Sequence, residues 1–152
     1  MVDFFGTEFT KTREPRDMIP VGKSHGRVRI NIDSIEATAA MAATDRIFLA
    51  KLPSDAVLLP ESTLYFDDLG TAPTLDFGDD VDPNGLATLI DASAAGNVSL
   101  LEEVDVANYG QRLWELLGHA SDPGGQIDLF LTIVGDIDAA GTITSIIFYV
   151  VD

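Results

Sequence analysis

A serine between two glycines is the first residue of this sequence whose setting could indicate chemistry. Residues 22–26 (GKSHG) match G-x-S-x-G, a pattern in which a turn between a strand and a helix exposes a nucleophilic serine. Here Pro15 and Pro20 interrupt the preceding segment, and an alternating strand pattern follows instead of a helix. Only one later histidine, His119, could serve as a base. We therefore expect no hydrolytic site and no enzymatic activity.

An acidic stretch is the second candidate, because carboxylate and amide oxygens are the ligands that Ca²⁺ prefers. Residues 80–85 (DVDPNG) match the first half of a calcium-binding loop, but its twelfth position is an aspartate where a glutamate is usual. The Pro-Asn-Gly sequence also predicts a turn between strands. We therefore expect a solvated acidic turn and no resident metal or cofactor. The alternative is a weak calcium site with the ligands Asp80, Asp82, Asn84 and Asp91.

The distribution of charge limits the partners of this chain, whose net charge is −16. Residues 1–51 hold eight of the nine basic residues, whereas residues 52–152 hold only Arg112 against eighteen acidic residues. Such an acidic body repels DNA, RNA and anionic membrane surfaces. The longest apolar stretch, residues 143–151, is too short to span a bilayer. We expect neither nucleic acid nor a membrane as partner.

The elements that must position these residues are mostly strands. Residues 27–33 (RVRINID) alternate strictly, so Val28, Ile30 and Ile32 are expected on the half-buried face of a strand. A short helix is expected at residues 108–118, with Gly118 as its C-cap. The remaining strands are predicted at residues 47–52, 57–66 with a bulge or edge position at Pro60, 74–77, 126–134 and 142–151.

These strands, separated by turns rich in Gly, Pro and Asp, predict the fold class. It is mainly β: a single antiparallel β-sandwich, jelly-roll-like, with an extended N-terminal arm and one short helix. The last two strands, joined by the turn-rich residues 135–141, are expected to form a hairpin that ends the chain inside a sheet.

Residues 1–26 are expected to form the arm, and residues 27–152 the β-sandwich body. The arm has no apolar periodicity, yet it has too many large apolar side chains for a free tail, so it is expected to lie on a partner or on its own body. Its basic residues indicate either a solvated arm or a tether to an acidic surface, such as a neighbouring copy. The expected partner-binding residues are Phe4, Phe5, Phe9, Lys11, Arg13, Arg16, Met18, Ile19, Arg27 and Arg29.

The order of several phrases in the body resembles a known group of proteins. The phrases are residues 26–29 (GRVR), 51–57 (KLPSDAV), 64–70 (LYFDDLG), 74–79 (TLDFGD), 113–115 (LWE), 122–125 (DPGG) and 148–152 (FYVVD). In this order the chain is similar to small β-sandwich virion structural proteins of tailed bacteriophages, of the capsid decoration or cement type. That group has no catalytic residues to transfer to this sequence.

The resemblance implies a role in which many copies attach to the outside of the major-capsid lattice and stabilise it. The implied partners are the major capsid protein and neighbouring copies of the chain, as a homo-oligomer for which a trimer is one arrangement. The implied location is the capsid surface of the virion, after synthesis in the host bacterial cytoplasm. Similar sandwiches occur in neck, tail and fibre proteins, so a position there is the alternative. A calcium- or carbohydrate-binding jelly-roll module is a further alternative.

Overall fold

The computed structural model describes residues 27–151, and the predicted arm at residues 1–26 lies outside them. Within this range nine strands form two antiparallel sheets, with one 3-10 turn (Val106–Asn108) and one short helix, α1 (Leu113–Leu116). The strands are β1 (Arg27–Ala37), β2 (Arg46–Pro53), β3 (Val57–Leu58), β4 (Thr63–Phe66), β5 (Thr74–Gly78), β6 (Ala87–Asp91), β7 (Gly96–Ser99), β8 (Gln126–Gly135) and β9 (Gly141–Val151).

The two sheets confirm the predicted mainly β fold with two antiparallel sheets and one short helix. In the first sheet the strand order is β1-β9-β4-β7, and β3 also pairs with β9. In the second sheet the order is β2-β8-β5-β6. Because successive strands repeatedly change sheet, both sheets depend on pairings between residues that are far apart in sequence. We call these sheets the β9 sheet and the β8 sheet, after the long strand at the centre of each.

The core lies between the two sheets and is built from alternating residues of their strands. The β8 sheet contributes Leu129 and Leu131, and the β9 sheet contributes Ile143 and Ile147, each at most 1% exposed. Burying one such side chain is worth about 1.5–3 kcal/mol. This single core fixes which face of every strand points inward and leaves the outer faces for other contacts.

The predicted hairpin of the last two strands is wrong. β8 pairs with β2 and β5, whereas β9 pairs with β1, β3 and β4, so the two strands lie in different sheets. The segment between them crosses the edge of the sandwich and buries Ile137 against the core. Alternation of apolar residues shows that each strand has a core-facing side. It does not distinguish a partner in the same sheet from a partner across the core.

The predicted helix exists but is shorter than expected, with α1 covering only four residues. Two of its backbone N–H groups donate to the loop after β2, from Leu113 to Ala56 and from Trp114 to Ser54. Gly118 follows the helix with a φ of +69°, a conformation that glycine adopts without steric cost, as the C-cap prediction requires. No helix within residues 27–151 is long and apolar enough to cross a membrane.

Candidate interaction surfaces

Of the ten residues predicted to bind a partner, only Arg27 and Arg29 lie in the described part of the chain. Phe4, Phe5, Phe9, Lys11, Arg13, Arg16, Met18 and Ile19 lie outside the described residues. Arg27 and Arg29 stand on β1 opposite Val151 and Tyr149 of β9, and both are exposed. Neither guanidinium has an ion-pair partner within residues 27–151, so both remain available to another molecule.

The outer face of the β9 sheet carries an exposed apolar surface at β1. Val28, Ile30 and Ile32 are 58%, 53% and 62% exposed. They lie beside Val150, Phe148 and Ile146 of β9, their direct cross-strand partners. Cross-strand partners share one face of a sheet, so these six side chains lie on the same outer face. Val150 is only 5% exposed there, so the three side chains of β1 make up most of the exposed apolar surface. We call Val28, Ile30 and Ile32 the β1 stripe.

The expected burial of the β1 stripe is therefore wrong for the described chain, although the predicted strand is correct. The partners of the stripe on β9 alternate with Ile143, Ser145 and Ile147, which are fully buried and face the core. The stripe consequently points away from the core, while Asn31 and Ile35 on the other face of β1 point toward it. Alternation of apolar residues along a strand shows that one face of the strand is apolar, but it does not show what covers that face.

The outer face of the β8 sheet is organised differently, because the chain itself covers it. Phe130 is completely buried although it lies on this outer face. The Phe48 ring lies 5.1 Å from the Phe130 ring, and the Arg46 guanidinium stands 4.5 Å over it. Such ring and cation–π contacts supplement the burial of apolar area. The acidic turn between β5 and β6 folds onto the same face.

Asp79 holds the acidic turn in place. One of its carboxylate oxygens accepts hydrogen bonds of 2.9 Å from the backbone N–H groups of both Val81 and Asp82. The other oxygen lies 2.6 Å from Nε2 of His119, which follows α1. Asp79 is only 3% exposed. This buried carboxylate therefore joins the acidic turn to the segment after α1 and is structural in the described chain.

The four calcium candidates do not form one cluster. Asp80 pairs with Arg46 at 2.6 Å, and the side-chain amide of Asn84 donates to Thr88. Asp91 lies at the far end of β6, four residues and about 13 Å from the first residue of that strand, so it cannot close the turn. Among residues 27–151 no group of three or more His, Cys, Asp or Glu side chains could hold a metal ion together.

The Asp91 carboxylate has local partners of its own. Ser93 donates to it from its side chain and its backbone N–H, and both hydrogen bonds hold the pKa of Asp91 below its usual value of 3.8. Hydrogen bonds that stabilise the ionised form of a carboxyl lower its pKa in this way. Asp91 therefore acts as the cap of a tight turn after β6.

The position of the serine motif relative to His119 is outside what the structure describes. Residues 22–26 lie outside the described range. Within residues 27–151, the only hydrogen-bond partner of the His119 ring is Asp79. Sequence reasoning missed the contact between Asp79 and His119. An aspartate just before a Pro-Asn-Gly turn is a signal for such backbone capping.

No protein-family model matches this chain, and no curated protein matches its sequence. Chains of two phage capsid structures are similar to it over almost their whole length. A chain of the Cyanophage Pam1 capsid asymmetric unit has a TM-score of 0.63 at 18% identity, and the match covers 92% of this chain and 96% of that one. A chain of the capsid of Ralstonia phage GP4 has a TM-score of 0.58 at 26% identity, with coverage of 89% and 91%.

These matches confirm the resemblance to structural proteins of phage virions that the sequence indicates. The first likeness, at 18% identity, shows a shared fold. The second, at 26% identity and over nearly all of both chains, also supports a phage virion structural protein. An exposed apolar face and two exposed arginines, in a chain whose acidic turn is held by its own contacts, fit a protein that binds other proteins.

Proposed function

We propose that this chain is a bacteriophage decoration or cement protein, which binds the outside of the major-capsid lattice and stabilises it. The observation that carries the proposal is the likeness to a chain of the Ralstonia phage GP4 capsid over 91% of that chain. The proposed partners are the major capsid protein and neighbouring copies of this chain. The proposed location is the capsid surface, after synthesis in the host bacterial cytoplasm.

The charge of the body supports the outer rather than the inner side of the shell. Residues 52–152 hold eighteen acidic residues and one basic residue, so packaged DNA would repel this part of the chain. On the outside, the same charge keeps densely arranged copies soluble. An acidic body at high copy number is therefore compatible with the outer surface and incompatible with contact with the genome.

The arm at residues 1–26 is proposed to carry much of the attachment to the shell. It combines apolar residues such as Phe4, Phe5 and Phe9 with basic residues such as Lys11 and Arg13. Burying each Phe on the capsid is worth about 1.5–3 kcal/mol, which offsets part of the cost of ordering the arm. The basic residues steer the arm to an acidic site and fix its register.

A truncation tests the role of the arm. Deleting residues 2–25 should leave a folded, soluble body that binds capsids weakly. Binding of the intact chain should fall only partly at high salt, because salt screens the charged contacts but not the apolar ones. Undiminished capsid binding by the truncated body would contradict this role of the arm. It would mean that the sandwich contains the capsid-binding surface.

The proposed role is non-catalytic. Ser24→Ala and His119→Ala should each leave capsid binding unchanged and remove no activity, with the unmodified chain as control. His119→Ala has a structural cost, because it removes the partner of Asp79, so its folding must be checked by circular dichroism. A hydrolytic activity of the intact chain that is absent from Ser24→Ala would overturn the non-catalytic proposal.

Reconstitution separates decoration from lattice building. Shells of the corresponding major capsid protein, assembled without this chain, should form, then bind the purified chain to saturation and resist heat better afterwards. If shells do not assemble unless the chain is present, the chain builds the lattice instead of decorating it. If completed shells bind none of it, a neck, tail or fibre position becomes the better proposal.

A further inference from the structure

Within residues 27–151, the outer edge of β1 has no strand partner, and this edge lies next to the β1 stripe. β1 is the terminal strand of the β9 sheet and pairs with β9 along its entire length of eleven residues. No strand within residues 27–151 pairs with its other edge. A long, exposed edge with apolar side chains is a template for a further strand, and charged residues on such an edge oppose pairing unless the partner strand carries complementary charges.

The sequence of β1 is complementary to itself in the antiparallel direction. Its basic residues, Arg27 and Arg29, lie in the first half of the strand, and its acidic residues, Asp33 and Glu36, lie in the second half. The β1 stripe is symmetric about Ile30. When two copies run antiparallel with stripe against stripe, Ile30 therefore lies opposite itself, and Val28 lies opposite Ile32 of the second copy.

The same register also matches the charges. With Ile30 on the two-fold axis, Arg27 lies opposite Asp33 of the second copy, and this pair occurs twice. Direct opposite-charge pairs and apolar pairs across strands both stabilise a sheet. The apolar match is complete only with Ile30 on the axis, and the opposite-charge pairs on the other face of β1 form in that same register. A different protein offering only an apolar strand would match the apolar face and not the charges.

The geometry points to a second copy of this chain as the partner of β1, paired edge to edge and antiparallel about a two-fold axis through Ile30. The pairing continues the β9 sheet from one copy into the next and joins the two β1 stripes into one apolar strip. It deepens the proposed function, and rests on it, by naming the surface through which neighbouring copies on a shell meet. A two-fold contact places the same surface on both copies.

Disulfide formation tests this pairing on the full chain, which contains no cysteine of its own. Directly opposite residues of antiparallel strands have Cα atoms about 4.5–5.5 Å apart, within the range that a disulfide bridges. Purified Ile30→Cys protein should therefore form covalent dimers under mild oxidation with oxidised glutathione, as seen on non-reducing gels. The matched control is Ile32→Cys, which lies on the same face and is somewhat more exposed, at 62% against 53% for Ile30.

In the proposed register the two Ile32 positions are about 14 Å apart along the strands, so Ile32→Cys alone should give at least about fivefold less dimer. A mixture of Val28→Cys and Ile32→Cys proteins should form the mixed dimer. Absence of covalent dimers from Ile30→Cys overturns the inference, and so does equal dimer formation by both single variants. Dimers that form only after deletion of residues 2–25 also overturn it, because the arm then occupies the edge.

A non-covalent measurement gives a second test. Ile30→Asp should weaken self-association in sedimentation velocity at least about tenfold, because it places two facing carboxylates on the axis among apolar groups. Leu89→Asp, on the other sheet and 61% exposed, is the control and should leave self-association unchanged. Both measurements use the chain without capsids. A failed pairing with intact capsid binding thus overturns only the pairing, and the reverse result overturns only the proposed function.

Discussion

The two outer faces of the sandwich differ in what covers their apolar residues. On the β8 sheet, Phe130 is fully buried beneath Phe48, Arg46 and the acidic turn. On the β9 sheet, Val28 and Ile30 are more than half exposed within the described chain. The first face is completed by local loops and side chains. The second face is left for another segment or molecule, and we assign it to a second copy.

This difference shows that an outward-facing apolar residue has no fixed meaning in a sandwich. The decisive feature is the segment that follows the strand. β5 is followed by a turn that folds back over its own sheet, where a Cβ on Gly78 would overlap the carbonyl of Asp82 and approach Pro83. β1 is followed by a link to β2 in the other sheet, so residues after it do not return across its outer face.

The largest expected effect is a difference in the free energy of unfolding between variants on the two outer faces. Phe130→Ala should reduce the free energy of unfolding by about 3–5 kcal/mol, since it removes a buried ring and leaves a cavity. Ile30→Ala should change it by less than about 0.5 kcal/mol at protein concentrations where the monomer prevails. Urea unfolding of both variants measures this. Equal losses would mean that the β1 stripe is covered within one chain.

A second comparison lies inside the acidic turn. Asp79→Ala should cost about 2–3 kcal/mol of unfolding free energy, because two backbone N–H groups and His119 lose a charged, buried acceptor. Asp80→Ala is the matched control one residue away, and its exposed ion pair with Arg46 is worth less than about 1 kcal/mol. If both variants cost the same in thermal unfolding, the turn is not held by Asp79.

A third comparison is between two glycines, one in each sheet, that differ in how closely neighbouring atoms would approach an added Cβ. Gly78→Ala should cost about 1–3 kcal/mol, because the added methyl group forces the acidic turn away from the β8 sheet. Gly96→Ala on β7 should be nearly neutral, because its methyl group would make only ordinary contact with the Phe66 ring at 3.5 Å. A neutral Gly78→Ala, measured by urea unfolding, would show that the turn is loosely attached.

The smallest expected effect concerns pH. The pKa of Asp91 is lowered in the folded chain, so its contribution to stability is present above the unfolded value of 3.8 and is lost as pH falls through the folded value. Asp91→Asn should therefore have a slightly lower Tm than the unmodified chain at pH 7, and the two should converge at acidic pH. A difference that grows as pH falls would contradict the assigned hydrogen bonds.

The parts of the fold that sequence patterns predicted are those with strong local signals. The alternating residues 27–33, the apolar segments of β8 and β9, and Gly118 after the helix were all placed correctly. β6 and β7 were missed because each has only four or five residues, and the short apolar runs in them lie among Gly, Ser and Asp that equally indicate loops.

The parts that could not be predicted depend on contacts between distant residues. His119 meets Asp79 across forty positions of the sequence, and no local pattern links them. The sheet membership of β8 and β9 and the exposure of Ile30 likewise follow from which strands lie beside one another. Residues 80–91 have the sequence spacing of a calcium-binding loop, but β6 places Asp91, its last position, away from the turn.

The stoichiometry of purified virions tests the central claim most directly. Quantitative mass spectrometry of virions of the phage that encodes this chain would compare its copy number with that of the major capsid protein. A decoration protein should be present in numbers of the same order of magnitude as the major capsid protein. A handful of copies per particle would contradict decoration and assign the chain to the neck, tail or fibres instead.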